Sequence, residues 1–113
     1  MSRETVYLIS PIMSSGDYEY NVNKARAVAL GLWAMGYAVH CPALNTHGMA
    51  GKLPESTFVD GELSIGLQMD NFAVAGLWKE SANCSREVRE MVAAGKSQII
   101  VPKWITMDDV EEA

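Results

Sequence analysis

Two stretches of this sequence carry residue types able to do chemistry. One is Tyr7-Leu8-Ile9-Ser10-Pro11-Ile12; the other is Leu77-Trp78-Lys79-Glu80-Ser81-Ala82-Asn83-Cys84-Ser85-Arg86-Glu87. Each reads as an apolar strand that breaks into a short polar loop and then a helix. In an open α/β sheet such breaks lie at the carboxyl edge of the strands, where these folds bind ligands. The second break brings the carboxylate of Glu87 into the first turns of a helix, and the first strand supplies the phenol of Tyr7. A carboxylate and a phenol meeting in one crevice can do glycosyl-transfer chemistry, with the carboxylate as nucleophile.

Each candidate has a plainer alternative. Around the predicted helix, Cys84, Val88, Met91 and Gly95 share the apolar side, and Glu87 falls at its margin. A half-buried carboxylate near a helix N-terminus sits in positive dipole potential, which favours the ionised form a nucleophile needs. The competing reading is a Glu placed for helix stability. For Tyr7, inside a strand covered on both sides, the usual case is a core tyrosine with a satisfied hydroxyl. Ser81, Asn83 and Ser85 surround a helix start, which suits either a phosphate group or simple N-capping. His47, in a long loop, is free to reach a ligand, whereas His40 alternates with Cys41 in a strand and reads as structural. No Cys or carboxylate stands at zinc-site spacing from either histidine, so no metal is expected. Cys84 lacks a visible base partner for thiol catalysis. Trp78 reads as a stacking surface for a base or as a lid over the core. Neither a Gly-x-Gly-x-x-Gly nor a Walker pattern occurs, so neither a dinucleotide cofactor nor a P-loop is expected.

The elements that must position these residues follow from periodicity and punctuation. Thr5 to Ser10 is an apolar run closed by Pro11, as in a buried parallel strand. Asn21 to Met35 has helical spacing of Val22, Ala25, Val28, Ala29, Leu32 and Met35, with Asn21 as cap and Gly36 as the terminating residue. Tyr37 to Cys41 is a second strand stopped by Pro42, followed by a long loop over Ala43 to Glu55, the segment expected to be most mobile. Thr57-x-x-Asp60 predicts a capped helix running to about Met69, weakened by Gly61 and Gly66. Asn71 to Leu77 is the third strand, Asn83 to Ala94 a helix ended by Gly95, and Gln98 to Val101 a fourth strand closed by Pro102. A short acidic helix is predicted over Thr106 to Glu112. Alternating strands and helices imply right-handed crossovers and a parallel sheet. The expected fold is a three-layer Rossmann-like or flavodoxin-like α/β domain. Its sheet has four strands, five at most, in order 2-1-3-4, with helices on both faces. The switch point then falls between strands 1 and 3.

Size and composition bound the rest. The sequence has 113 residues, which predicts one domain over 1–113 with residues 103–113 peripheral. The charge of −5 and the absence of a basic block argue against gripping a nucleic-acid polymer, though not against a free nucleotide. Two cysteines, Cys41 and Cys84, read as reduced thiols of a cytoplasmic protein. No apolar run reaches the ~20 residues needed to cross a bilayer, so no membrane partner is expected.

Taken together and in order, these residues resemble the nucleoside 2-deoxyribosyltransferase superfamily, especially its small bacterial and phage branch. That family opens with a strand of the form Tyr-Leu-Ala-Gly/Ser-Pro, as in Tyr7-Leu8-Ile9-Ser10-Pro11. An Asn then starts a helix ending in Gly-Tyr-x-Val-x-x-Pro, matched by Asn21 and by Gly36-Tyr37-Ala38-Val39-His40-Cys41-Pro42. A Ser/Thr-His pair follows, here Thr46-His47, and then Asp-Leu and a later Asp, here Glu62-Leu63 and Asp70. The last match is the Trp-x-x-Ser…Glu segment, from Trp78 through Ser81 to Glu87. Three positions depart from the pattern. Asn83 replaces a Gly, Glu62 replaces an Asp, and Leu77 stands where a Gly usually precedes the Trp.

The resemblance implies Glu87 as the nucleophile on the anomeric carbon, Tyr7 as its orienting partner, and Glu62 or Asp70 as the acid that binds sugar or protonates the base. It implies Ser81 as a phosphate contact. Ser10, Pro11, Ile12, Asn21, His47, Trp78 and Asn83 complete the expected substrate-binding set. The implied substrate is a small-molecule nucleoside or nucleoside 5′-monophosphate, with no metal or organic cofactor. The resemblance also implies a homo-oligomer, because a domain this small leaves the crevice open and members of the family often complete it with a neighbouring subunit; Trp78, Trp104 and the Ala43–Pro54 loop are the expected contact material. The rival expectations are a nucleotide-binding protein without turnover, acting as sensor or sponge, and an α/β domain with a purely structural role.

Overall fold

The computed structural model describes residues 3–12 and 18–105. Its elements run β1 (Thr5–Ile9), α1 (Tyr18–Ala34), β2 (Ala38–His40), α2 (Pro42–Asn45), α3 (Glu55–Gly66), β3 (Asn71–Val74), a 3-10 turn (Trp78–Glu80), α4 (Ala82–Ala93) and β4 (Ser97–Gln98). All strand pairs are parallel, and the sheet order is β2-β1-β3-β4. This is the α/β architecture and the strand order that the alternation of elements predicts.

β1 is the spine of the sheet because nearly every side chain in it is apolar and both of its faces are covered. Val6 and Leu8 face one way, into a cluster with Ala25, Val28, Ala29 and Leu32 of α1. Tyr7 and Ile9 face the other way, onto Phe72, Cys84 and Met91. Full burial of each such large apolar side chain is worth about 1.5–3 kcal/mol. Small residues set how close the helices approach. A Cβ at Gly66 of α3 would stand 2.8 Å from the Tyr7 ring, so glycine lets α3 lie directly against that tyrosine. A Cβ at Gly31 of α1 would stand 2.3 Å from the Ile105 side chain, so Ile105 is keyed into α1 and is buried rather than peripheral.

The helix stops follow the glycines. Gly36 has φ +102°, Tyr37 N–H donates to the Leu32 carbonyl, and Gly36 N–H donates to Trp33, which closes α1 in a Schellman arrangement. Gly95, at φ +77°, closes α4 in the same way with Lys96 N–H on Met91 and its own N–H on Val92.

Several boundaries differ from the sequence expectation. α1 begins at Tyr18, three residues before Asn21, with Glu19 in its first turn favoured by the helix dipole. Asn21 is therefore no cap; it is buried in the helix, and its side-chain amide donates to the Ile12 carbonyl at 2.9 Å. The long loop contains α2, which Pro42 at its first position pre-sets. α3 begins at Glu55, so Thr57 lies inside the helix and the expected capping box does not form; Thr57 N–H donates instead to the Pro54 carbonyl. β3 stops at Val74, short of Leu77, and the chain turns at Gly76 with φ +64°. β4 is two residues long and starts at Ser97. The helix expected over 106–112 lies outside the described residues. No helix among the described residues is long and apolar enough to cross a membrane.

Candidate active site

α4 carries the central carboxylate. Ser81 caps the helix, its hydroxyl accepting from Cys84 N–H at 3.2 Å. Cys84, Glu87 and Met91 then form the buried side, at i, i+3 and i+7. Glu87 is only 7% exposed, deeper than the margin position the helical wheel gives it. α3 brings a second carboxylate: Glu62 is 5% exposed and, with Glu87, lines one cavity of about 600 Å³. That cavity opens at the carboxyl edge of β1 and β2 and is walled by α2, α3, the loop between them, and the start of α4.

Two donors hold Glu62. His40 Nε2 lies 2.5 Å from Oε2, and the Asn45 side-chain amide donates to Oε1 at 2.6 Å. Glu87 sits differently. Burial pushes its carboxyl up to about 7 and the neighbouring Glu62 charge adds to the push, while the Tyr7 hydroxyl and Arg86 pull it back. The sequence reading expected the helix dipole to keep Glu87 ionised. Burial outweighs that dipole, so Glu87 holds its proton well above the usual carboxylate range.

Tyr7 is fully buried, packs with Cys84 of α4 and does not itself line the cavity. Its hydroxyl is buried and, among the described residues, has no partner at hydrogen-bond geometry, although it stands near enough to favour the charge on Glu87. Burial and the two carboxylates push its own ionisation far up, so it remains a neutral phenol. A buried hydroxyl without a partner costs about 1–3 kcal/mol, which marks a position kept for something other than stability. Both thiols are free and buried; Cys84 is pushed up to about 11 and Cys41 is also raised, each chiefly by burial. Neither is a thiolate nucleophile at neutral pH.

The other expected site residues divide. Ser10, Ile12, His47, Ser81 and Asn83 line the cavity with the two carboxylates. His47 is not free: its ring stacks on Tyr18 at 5.5 Å, and Nδ1 lies 2.5 Å from the Tyr18 hydroxyl. Asn83 donates to Glu55 at 2.8 Å and Arg86 pairs with Asp60 at 2.9 Å, so two polar links tie α3 to α4 beside the cavity. Pro11 and Asn21, with Ser10 again, line a neighbouring cavity of about 460 Å³. Trp78 packs on the Tyr7–Phe72 cluster, under the Lys79 ammonium at 5.6 Å, and lines neither cavity.

Asp70 is not brought to the site. It precedes β3 at the amino edge of the sheet, exposed, and accepts from the Thr5 backbone N–H at 3.0 Å and the Thr5 hydroxyl at 3.1 Å. Of the two acids considered beside Glu87, only Glu62 reaches the cavity. Among the described residues, no three His, Cys, Asp or Glu side chains converge as a metal site.

Sequence reasoning missed His40 and Asn45. The signal available for His40 was its place at the end of a strand predicted to lie beside strand 1; the register that pairs it with Tyr7 comes from the structure. No family model matches the chain, and no curated protein matches it.

Proposed function

We propose that the protein cleaves or transfers the N-glycosidic bond of a nucleoside or nucleoside 5′-monophosphate through a glycosyl-enzyme intermediate on Glu87. One observation carries the reading: two buried carboxylates face a single cavity, and beside Glu87 is a buried phenol hydroxyl that has no hydrogen-bond partner among the described residues. A perturbed acid facing a cleft is the pattern that separates acid–base and nucleophilic sites from ordinary core. The order of motifs resembling the deoxyribosyltransferase superfamily points the chemistry to a sugar–base bond.

In the first step a Glu87 oxygen forms a bond to the anomeric carbon, and the bond from that carbon to the base nitrogen breaks. The departing base takes up a proton from solvent at the cavity mouth. In the second step water, or the nitrogen of another base, attacks the same carbon and returns the Glu87 carboxylate. Splitting one oxocarbenium-like displacement into two lowers each barrier. Tyr7 supplies a neutral donor that orients the attacking carboxylate. Glu62, already accepting one hydrogen bond at each oxygen, keeps a lone pair on each for sugar hydroxyls. Ser81 and the first turn of α4 lie along the same wall and suit a 5′-phosphate.

Chromatographic detection of free base, from a panel of nucleosides and 5′-monophosphates, tests the proposal with wild type beside Glu87→Ala. Release by wild type and a loss of about a thousandfold or more in the variant is the expected result. Equal release by both would end the nucleophile assignment. Silence from both, with nucleotides still raising the melting temperature, would instead make the protein a nucleotide binder without turnover.

A further inference from the structure

His40 is the group next to this site that sequence reasoning set aside as structural. Its ring is fixed on two sides. The β1–β2 register places it beside Tyr7, and the two rings lie 6.0 Å apart and nearly parallel, at 8°. Its Nε2 points at the Glu62 carboxylate, 2.5 Å away, while Asn45 holds the other oxygen. A carboxylate acceptor on Nε2 places a proton there.

We propose that His40 is a positioning residue: with Asn45 it clamps Glu62 as an ionised acceptor in the cavity wall, and through Glu62 it governs whether Glu87 can carry its own charge. This inference rests on the reading of Glu87 as nucleophile and deepens it. Two buried carboxylates at one cavity resist carrying two negative charges, so their protons come off as a coupled pair. Donors aimed at Glu62 stabilise its charge without taking a position in the space a substrate fills. Without them Glu62 gives up its hold on the charge and takes the shared proton, so the single charge of the pair moves to Glu87 and Glu62 is lost as an anionic acceptor for substrate.

The surroundings leave this task to few groups. From β1 the pair meets Tyr7, a neutral phenol that already favours Glu87 ionisation. From β2 and its end it meets His40 and the raised thiol of Cys41; from α2, Asn45. The following loop offers His47, which is bonded to Tyr18. α3 adds Glu55 and Asp60, engaged with Asn83 and Arg86. From α4 and the turn before it come Cys84, Arg86 and Glu80. His40 is thus the basic side chain placed directly on Glu62.

The test is an NMR titration of the Glu62 and Glu87 side-chain carboxyl carbons in wild type, His40→Phe, His40→Gln and Asn45→Ala. Phe preserves a ring against Tyr7 but donates nothing, and Gln brings an amide N–H to about the place of Nε2. In His40→Phe the Glu62 carbon should titrate about one pH unit or more higher than in wild type and the Glu87 carbon lower. Both should stay near wild type in His40→Gln and shift by less in Asn45→Ala. The acid limb of the base-release profile should move down with Glu87. Unmoved titrations in both His40→Phe and Asn45→Ala would overturn the proposal, as would a Gln variant displaced as far as Phe. Should His40→Phe fail to fold, the exposed Asn45 position decides. The titration needs no turnover, so displaced carboxyls in a silent protein would sink the glycosidic reading alone. Base release with unmoved carboxyls would sink the role of His40 alone.

Discussion

The two edges of the sheet hold acids in opposite conditions. At the amino edge Asp70 is exposed and accepts two hydrogen bonds from Thr5, which hold its carboxyl below the usual range. At the carboxyl edge Glu87 is buried beside another carboxylate, and its carboxyl is pushed up to about 7. One acid stabilises the protein through its charge; the other destabilises it through its charge. A sheet end that closes on itself is architecture, and one that keeps a destabilised acid at a cavity is a candidate for chemistry. The sequence resemblance offered Asp70 and Glu62 as equals, and the environment separates them.

The widest test of that contrast is turnover. Glu87→Ala should lose about a thousandfold or more of base release, and Asp70→Ala should leave base release as it was, measured by chromatography on the same substrates. Loss in the Asp70 variant with an intact fold would break the comparison. Next comes stability against pH. The Glu87 carboxyl is raised on folding, so the folded state holds its proton more tightly, and wild type loses stability as pH rises from about 4.5 to about 7. Glu87→Gln should therefore be more stable than wild type by about 1–3 kcal/mol at pH 8, with the gap closing toward pH 4, as read by denaturant melts at both pH values. A constant gap across that range would mean that the carboxyl is not raised.

Gly66→Ala sharpens the same point from the packing side. Its Cβ would meet the Tyr7 ring at 2.8 Å, so α3 must back away from β1. The expected cost is about 1–3 kcal/mol in a denaturant melt, together with a lowered Glu87 titration as water gains access. The smallest effect belongs to Asp70→Asn. Its folded carboxyl is lowered, so its charge stabilises above the ordinary aspartate range and that help disappears as pH falls through it. A slight fall in melting temperature at pH 7, absent near pH 3, is expected. A larger fall at pH 3 than at pH 7 would reverse the assignment.

Much of the fold was legible because punctuation is local. Pro11 and Pro42 follow strands, and Gly36 and Gly95 close helices, for reasons confined to a few neighbouring residues. The start of α3 was misread because Thr57 and Asp60 fit a capping pattern that the chain leaves unused once Pro54 starts the helix earlier. At the site, Glu87 and Tyr7 were legible by type and place, but the depth of Glu87 was not. A helical wheel gives an angle and no depth; the depth comes from α3 lying on Tyr7 through Gly66. His40 was missed because its meaning depends on the register between β1 and β2, and alternation along one strand cannot supply that.

The pairing of Tyr7 with His40 makes the sheet an alignment gauge. β2 has three residues, all half-buried, so no side chain in it strongly resists facing the wrong way. A copy in which β2 joins one position out of step would present Val39 or Cys41 where the imidazole belongs and would take both from the cluster they form with α1. Under the proposed function, base release then depends on the fraction of correctly registered strands as well as on the yield of folded protein.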